Sequence, residues 1–121
     1  MKVLLVDDDL DIQFVARLAL KRAGFTVSVA ASGAEALESV QRDRPDVILL
    51  DWMMPDMDGP EACRRLKQSP DTSGIPVIFV TARSQQAEIG RGIALGAAGY
   101  IVKPFDALSL GDEIRKLLGL A

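Results

Sequence analysis

The chain of 121 residues contains no histidine and only one cysteine, Cys63. The absence of histidine removes the most common zinc ligand and the usual general base of enzymes. A single cysteine excludes an internal disulfide and agrees with a reducing compartment. Because no histidine can activate its thiol, we interpret Cys63 as a small packing residue on a helix. The composition therefore argues against zinc enzymes and against cysteine–histidine nucleophiles.

The chain also lacks a long hydrophobic run and a strong charge of either sign. No apolar run approaches the roughly 20 residues of a membrane span, and Met1 and Lys2 lead directly into a short strand without a signal peptide. The formal net charge of -3 provides no basic patch for nucleic acid. With 49% hydrophobic residues the chain can bury a core. We expect one domain over residues 1–121, in the cytoplasm, with no direct contact to nucleic acid or membrane.

Continuous apolar segments are the most prominent feature of the sequence. Residues 2–6, 47–50 and 77–80 are rich in branched aliphatic side chains and predict strands that are buried on both faces. Residues 26–30 and 100–102 predict two further strands, and the first of these alternates with polar residues, as expected nearer a sheet edge. The sequence therefore predicts five strands.

A helical pattern follows each predicted strand. The first helix carries an apolar face of Ile12, Val15, Ala16, Ala19 and Ala23 and ends at Gly24. The next two begin at a capping box over residues 32–35 and at the cap Asp58, and they end before Pro45 and near Ser69. A weaker helix is predicted from about residue 85 to 95. The last runs from about 107 to 118, with Asp106 as its cap and Leu108 among its apolar residues.

Five strands that alternate with five helices predict an α/β fold with a parallel sheet and helices on both faces. The most apolar strands, the first, third and fourth, belong in the centre of the sheet. The strand order 2-1-3-4-5 satisfies this condition, so we expect a flavodoxin-like, doubly wound (βα)5 domain. This order places the ends of strands one and three side by side, at the position where such folds bind ligands.

Polar residues stand at the ends of four of these strands, and they suggest phosphoryl chemistry. Asp7 and Asp8 follow the first strand, and Asp51 ends the third. Three carboxylates without a counter-charge would repel one another, and a hard divalent cation such as Mg²⁺ removes that repulsion. We expect Mg²⁺ between these carboxylates and the main-chain carbonyl of Met53.

The fourth and fifth strands would complete this site. Thr81 brings a hydroxyl that can donate to a phosphoryl oxygen, and Lys103 brings a positive charge. Phosphoryl transfer needs mainly positioning and charge neutralisation, and a carboxylate nucleophile such as Asp51 gives an acyl phosphate. Asp51 is therefore the predicted phosphoacceptor.

The sequence resembles the receiver domain of two-component response regulators along essentially its whole length. The segments that carry the resemblance are LLVDDD (4–9), VILLDWMMPDMDG (47–59), VIFVTA (77–82) and GYIVKPF (99–105). By resemblance, Asp51 is the phosphoacceptor, and Asp7 and Asp8 are the acidic pair around Mg²⁺. Thr81 and Lys103 match the family's hydroxyl and phosphate-binding lysine. The bond between Lys103 and Pro104 looks like the family's cis peptide.

The resemblance also implies a regulatory role rather than a classical enzyme activity. The phosphodonor would be the phosphohistidine of a sensor histidine kinase or of a histidine phosphotransfer domain. Thr81 and Tyr100 match the residues that switch the surface of the fourth helix, fifth strand and fifth helix. That surface would serve a downstream output domain or protein, or a homodimer. Trp52, Met53 and Arg83 flank the site where the family varies, and we expect them to tune the lifetime of the acyl phosphate.

Three other functions compete with this interpretation. A phosphatase of the haloacid-dehalogenase type needs a second Asp two residues after the nucleophile, and position 53 is Met. Asp7 as nucleophile would satisfy that spacing, but the chain has no cap domain. A flavodoxin-like electron carrier needs hydroxyl and glycine donors in its first loop, where this chain has acids. A receiver that acts as a docking module without phosphorylation is the third alternative.

Two glycines, Gly90 and Gly92, lie inside the weak fourth helix, where each costs about 1 kcal/mol relative to alanine. They indicate either close packing at these positions or a deliberately loose helix in the region that shifts on activation. The second interpretation predicts faster amide exchange in this helix than in the third.

Overall fold

The computed structural model describes residues 1–82 and 89–120, which form five strands and five helices in strict alternation. The strands are β1 Lys2–Val6, β2 Thr26–Ala30, β3 Val47–Asp51, β4 Val77–Ala82 and β5 Gly99–Lys103. All pairings are parallel and the strand order is β2-β1-β3-β4-β5. The predicted strands, their order and the flavodoxin-like (βα)5 fold are confirmed.

The helices are α1 Leu10–Arg22, α2 Gly33–Arg42, α3 Gly59–Gln68, α4 Ile89–Ala94 and α5 Leu110–Leu117. None of the helices in the described ranges is long and apolar enough to cross a membrane. The predicted start of the fourth helix near Gln85 and the predicted position of Arg83 beside the site both fall outside the described residues.

Side-chain caps define three helix starts, and those of α2 and α3 are as predicted. Asp9 accepts hydrogen bonds from the backbone N–H groups of Asp11 and Ile12 at the start of α1. The Oγ of Ser32 accepts from the N–H of Glu35 at 3.1 Å, and Asp58 accepts from the N–H of Glu61 at 2.9 Å. These bonds satisfy N–H groups that have no partner within the helix. Each cap lies just after a strand or its loop and therefore sets the direction in which the next helix leaves the sheet.

The core consists of two apolar clusters, one on each face of the sheet. The alternating residues of β1 divide between them: Leu4 and Val6 pack with α2 and α3, whereas Val3 and Leu5 pack with α1 and α5. Every residue of β3 is buried. A strand that is covered on both faces is apolar along the covered stretch, which explains the continuous hydrophobic run over residues 47–50 before Asp51. Cys63 is fully buried in the first cluster, as predicted for a packing residue.

The predicted apolar face of α1 is partly wrong. Val15 is 45% exposed, whereas Leu20, which the predicted face left out, is fully buried beside the expected Ala16. Ala16 and Leu20 are four residues apart and therefore point to the same side of the helix. The small side chain of Ala16 lets α1 approach the sheet closely, and Phe14 and Leu18 remain on the outer side with Val15.

The predicted start of the last helix is also wrong. The helix begins at Leu110, and Asp106 accepts a hydrogen bond from the N–H of Leu108 in a separate turn before it. Leu108 is therefore not on the buried face of a helix and is 93% exposed. The side chain of Asp106 caps this turn because the chain has to change direction between β5 and α5.

Candidate functional site

Three carboxylates meet at the carboxyl edge of the sheet. Asp7 follows β1 and Asp51 ends β3, and these two strands are neighbours. One oxygen from each of Asp7, Asp8 and Asp51 lies within 4.8 Å of the others. Asp7 and Asp51 are buried, at 2% and 7% exposure, whereas Asp8 is exposed. The structure thus brings the three predicted acids together, as the strand order requires.

Lys103 connects two of these carboxylates from the far side of the site. Its Nζ donates to Asp7 Oδ2 at 3.0 Å and to Asp51 Oδ1 at 3.2 Å. Lys103 ends β5, which is separated from β3 by β4, so its long side chain crosses the end of the intervening strand. The bond between Lys103 and Pro104 is cis, as predicted from the resemblance.

Burial and neighbouring charge change the pKa values of this pair. Burial, followed by repulsion from Asp7, raises the pKa of Asp51 from its ordinary value of 3.8 to about 6, although Lys103 opposes the change. Burial alone would lower the pKa of Lys103, but its hydrogen bonds and attraction to Asp7 and Asp51 outweigh burial and raise it. Lys103 therefore stays charged, and it compensates only part of the negative charge in the site.

The donor set fits a hard divalent cation. Within residues 1–82 and 89–120, the charged groups at this cluster are the carboxylates of Asp7, Asp8 and Asp51 and the ammonium of Lys103. Mg²⁺ prefers oxygen ligands and is commonly held by one or two carboxylates with several waters. The exposed Asp8 leaves an open side through which water and a phosphoryl oxygen can reach such an ion.

Thr81 supplies a buried hydroxyl on the strand between Asp51 and Lys103. Its side chain is fully buried, and its Oγ1 has no hydrogen-bond partner among the described residues. A buried hydroxyl without a partner costs about 1–3 kcal/mol, so a ligand oxygen that accepts its proton would recover that free energy. Thr81 pairs with Val102, one residue before Lys103, which places both at the same edge.

Tyr100, Trp52 and Met53 are the other predicted site residues that the structure describes. Tyr100 is on β5 and is 42% exposed, so its ring is not enclosed in the core. Met53 directs its side chain outward, at 66% exposure, while Trp52 is buried and makes an edge-to-face contact with Phe79. The ligand role of the Met53 carbonyl and the roles of Trp52, Met53 and Arg83 in the lifetime of the acyl phosphate stay predictions.

Sequence reasoning missed Gln13, which also contacts the site. Its Nε2 donates to the main-chain carbonyl of Asp7 at 2.6 Å. The only signal in the sequence is its position, one turn after the cap Asp9, and a polar residue there is equally typical of a solvated helix face. The tertiary contact is what distinguishes it.

Comparison with known proteins decides the family. Residues 3–115 match the family described as "Response regulator receiver domain". This chain belongs to that family. Receiver domains are regulatory phosphoacceptors of two-component signalling rather than classical enzymes, as the sequence predicted.

Individual relatives agree with this assignment. The receiver domain is 39% identical over 117 residues to the phosphate regulon transcriptional regulatory protein PhoB of Rhizobium meliloti, covering 97% of this chain and 52% of that protein. It is 43% identical over 118 residues to the response regulator MprA of Mycobacterium leprae, covering 98% of this chain and 51% of that protein. The chain thus spans about half the length of these curated relatives.

A solved structure of similar size supports the fold. The chemotaxis protein CheY4 of Vibrio cholerae superimposes with a TM-score of 0.89 at 34% identity, covering 96% of this receiver domain and 97% of that chain. The likeness therefore extends over the whole (βα)5 unit.

Proposed function

We propose that Asp51 of this receiver domain accepts a phosphoryl group from a phosphohistidine while Asp7, Asp8, Asp51 and the Met53 carbonyl hold Mg²⁺. The observation that carries the proposal is the junction of Asp51, Asp7 and Lys103 at one sheet edge. An oxygen of Asp51 attacks the phosphorus, and the bond from phosphorus to the imidazole nitrogen breaks with its electron pair staying on nitrogen. The product is an acyl phosphate on Asp51 and a free histidine on the donor.

The residues around Asp51 have separate roles in this step. Bound Mg²⁺ would neutralise the oxygens of the transferring group. The ammonium of Lys103 is already within hydrogen-bond distance of Asp51 Oδ1 and can pair with a phosphoryl oxygen on the same side. The hydroxyl of Thr81, which has no hydrogen-bond partner within residues 1–82 and 89–120, can donate to another phosphoryl oxygen. Transfer of this kind depends on positioning and charge neutralisation, which these groups supply.

The phosphoryl group would then bias the surface made by α4, β5 and α5. Movement of Thr81 toward the new oxygens vacates space that Tyr100, now 42% exposed, can fill by turning inward. The new charge thus favours one of two arrangements of the surface. We propose that this surface binds the output domain or protein, or forms the interface of a homodimer.

The partner that donates the phosphoryl group would be a sensor histidine kinase or a histidine phosphotransfer domain. An apolar area lies next to Lys103: Val15 and Phe105 line a cavity of about 230 Å³ together with Lys103 and Pro104. Phe14 and Leu108, at 63% and 93% exposure, line a neighbouring cavity that shares Val15 with this one. The continuity of this apolar area with the site supports docking of the donor domain here, where its phosphohistidine can reach Asp51. We also propose that residues 1–121 form a single receiver domain and that this domain is located in the cytoplasm.

Acetyl phosphate with Mg²⁺ tests the phosphoacceptor directly. Asp51→Asn should abolish labelling, because an amide oxygen does not attack phosphorus, and intact-mass measurement should show no added phosphoryl group. Asp112→Asn, whose carboxylate is 84% exposed on α5, is the matched control and should be labelled like the wild type. Labelling of Asp51→Asn at another residue would refute the assignment.

A further inference from the structure

Gln13 links the first turn of α1 to the acidic site. Its main-chain N–H donates to Asp9 at 3.0 Å, as in a regular helix, so its backbone is fixed by α1. Its side chain turns back across the start of the helix, and Nε2 donates to the main-chain oxygen of Asp7 at 2.6 Å. The bond is partly buried, which protects it from competition with water.

Asp7 is held at every polar atom. Its N–H donates to Ala30 at 3.1 Å, its Oδ1 accepts from the N–H of Asp9 at 2.9 Å, and its Oδ2 accepts from Lys103 at 3.0 Å. Gln13 completes the set at the main-chain oxygen. The contact from Gln13 is the one made to the main-chain oxygen of Asp7, which belongs to the peptide group that leads to Asp8.

Asp8 depends on that peptide group for its position. Its side chain is exposed, and within residues 1–82 and 89–120 its carboxylate accepts no hydrogen bond. The orientation of the peptide plane between Asp7 and Asp8 therefore sets the direction in which the Asp8 carboxylate leaves the chain. If that plane rotates, the Asp8 oxygen moves away from those of Asp7 and Asp51.

We propose that Gln13 is a positioning residue of the Mg²⁺ site, which holds the Asp7–Asp8 peptide group so that Asp8 faces Asp7 and Asp51. This inference rests on the proposed function, because it assigns Gln13 to the same metal site. Partners that orient metal ligands commonly contribute 10–100-fold to metal affinity. Gln13 acts through the backbone and does not itself contact the ion.

The test measures Mg²⁺ binding without a phosphodonor, by calorimetric titration and by the fluorescence of Trp52, the only tryptophan in the chain. Gln13→Met keeps the length of the side chain and removes the donor, and we expect its dissociation constant for Mg²⁺ to rise about tenfold. Gln13→Asn is one methylene shorter and withdraws its amide, so it should weaken binding similarly. Gln41→Met, at an exposed position of α2, is the matched control and should bind as the wild type does.

A second measurement separates positioning from general damage to the fold. At saturating Mg²⁺ the rate of labelling by acetyl phosphate should return to within about twofold of the wild-type rate in Gln13→Met, because the defect lies in the affinity for the ion. Unchanged Mg²⁺ affinity in both Gln13 variants would overturn the inference, and so would a labelling rate that saturating Mg²⁺ does not restore. If the wild type itself binds Mg²⁺ but is not labelled, the proposed function fails while the role of Gln13 in metal binding stands.

Discussion

At the scale of single residues, the site is electrostatically costly before any ligand arrives. Asp51 is almost completely buried beside Asp7, and one ammonium serves both carboxylates. The pKa of Asp51, raised to about 6, expresses the resulting penalty on its charged form. A bound cation would relieve this penalty. The arrangement therefore favours cation binding at Asp51, because the penalty destabilises the free protein more than the bound one.

The raised pKa of Asp51 predicts how stability depends on pH. Between pH 3.8, the ordinary value, and about 6, the folded protein binds more protons than the unfolded chain, so stability falls as pH rises through this range. The full penalty, up to about 3 kcal/mol, applies above pH 6. In metal-free buffer, Asp51→Asn should therefore be more stable than the wild type at pH 7, and the difference should vanish near pH 4.

Urea unfolding at a series of pH values in the presence of a chelator measures this difference. Asp112→Asn provides the control, because its exposed carboxylate on α5 should leave the curve close to the wild type. A gap between Asp51→Asn and the wild type that is independent of pH would show that Asp51 does not carry the penalty.

At the scale of elements, the two glycines of α4 differ in the structural reason for the absence of a side chain. A Cβ at Gly92 would lie 2.9 Å from ring atoms of both Trp52 and Phe79, whereas a Cβ at Gly90 would meet nothing within 4 Å. Gly92 therefore serves close packing against the residue that follows Asp51. Gly90 has no such constraint, and the interpretation of a loosened helix stays open for it alone.

The two glycines predict opposite effects of alanine. Gly90→Ala should stabilise the protein by roughly 0.5–1 kcal/mol, because it adds helix propensity without a clash. Gly92→Ala should destabilise it by about 1–3 kcal/mol, because the buried rings of Trp52 and Phe79 would have to move. Each variant is the matched control of the other in urea unfolding, and effects of the same sign in both would contradict the packing argument.

Amide exchange of the same variants examines the mobility of α4. We expect faster exchange in α4 than in α3 of the wild type, and slower exchange in α4 after Gly90→Ala. Equal protection of α3 and α4 in the wild type would remove the idea that Gly90 loosens the helix.

At the scale of the whole molecule, the site joins elements that are far apart in the chain. Lys103 and Asp7 are separated by 96 residues and meet only when the complete sheet has formed. Binding of an ion to Asp7, Asp8 and Asp51 should therefore stabilise the entire fold, since the unfolded chain does not bring these carboxylates together.

Thermal unfolding with increasing Mg²⁺ checks this linkage. A concentration 100 times the dissociation constant should add about 2.7 kcal/mol to the free energy of unfolding, and the midpoint should rise by several degrees. Asp8→Asn should lose most of this gain while the fold stays intact, because Asp8 is exposed. Sodium chloride at matched ionic strength controls for screening, and equal gains in the wild type and Asp8→Asn would contradict the assignment of Asp8.

The sequence by itself determined the strands, their order and the residues at their ends. A strand covered on both faces needs a continuous apolar run, and this signal is local, so β1, β3 and β4 could be recognised without their neighbours. Once the order was known, parallel strands had to deliver Asp7, Asp8, Asp51, Thr81 and Lys103 to one edge.

The helical pattern of the sequence could not distinguish between several positions on one helix. Only the tertiary structure decided which of these side chains are buried or form hydrogen bonds. It buried Leu20 instead of Val15 on α1, moved the start of α5 to Leu110, and turned Gln13 toward Asp7. The physical reason is that helical periodicity specifies the spacing of a face but not the partner that covers it. Burial and hydrogen bonding at such positions depend on residues from other elements, and these are in place only after the chain has folded.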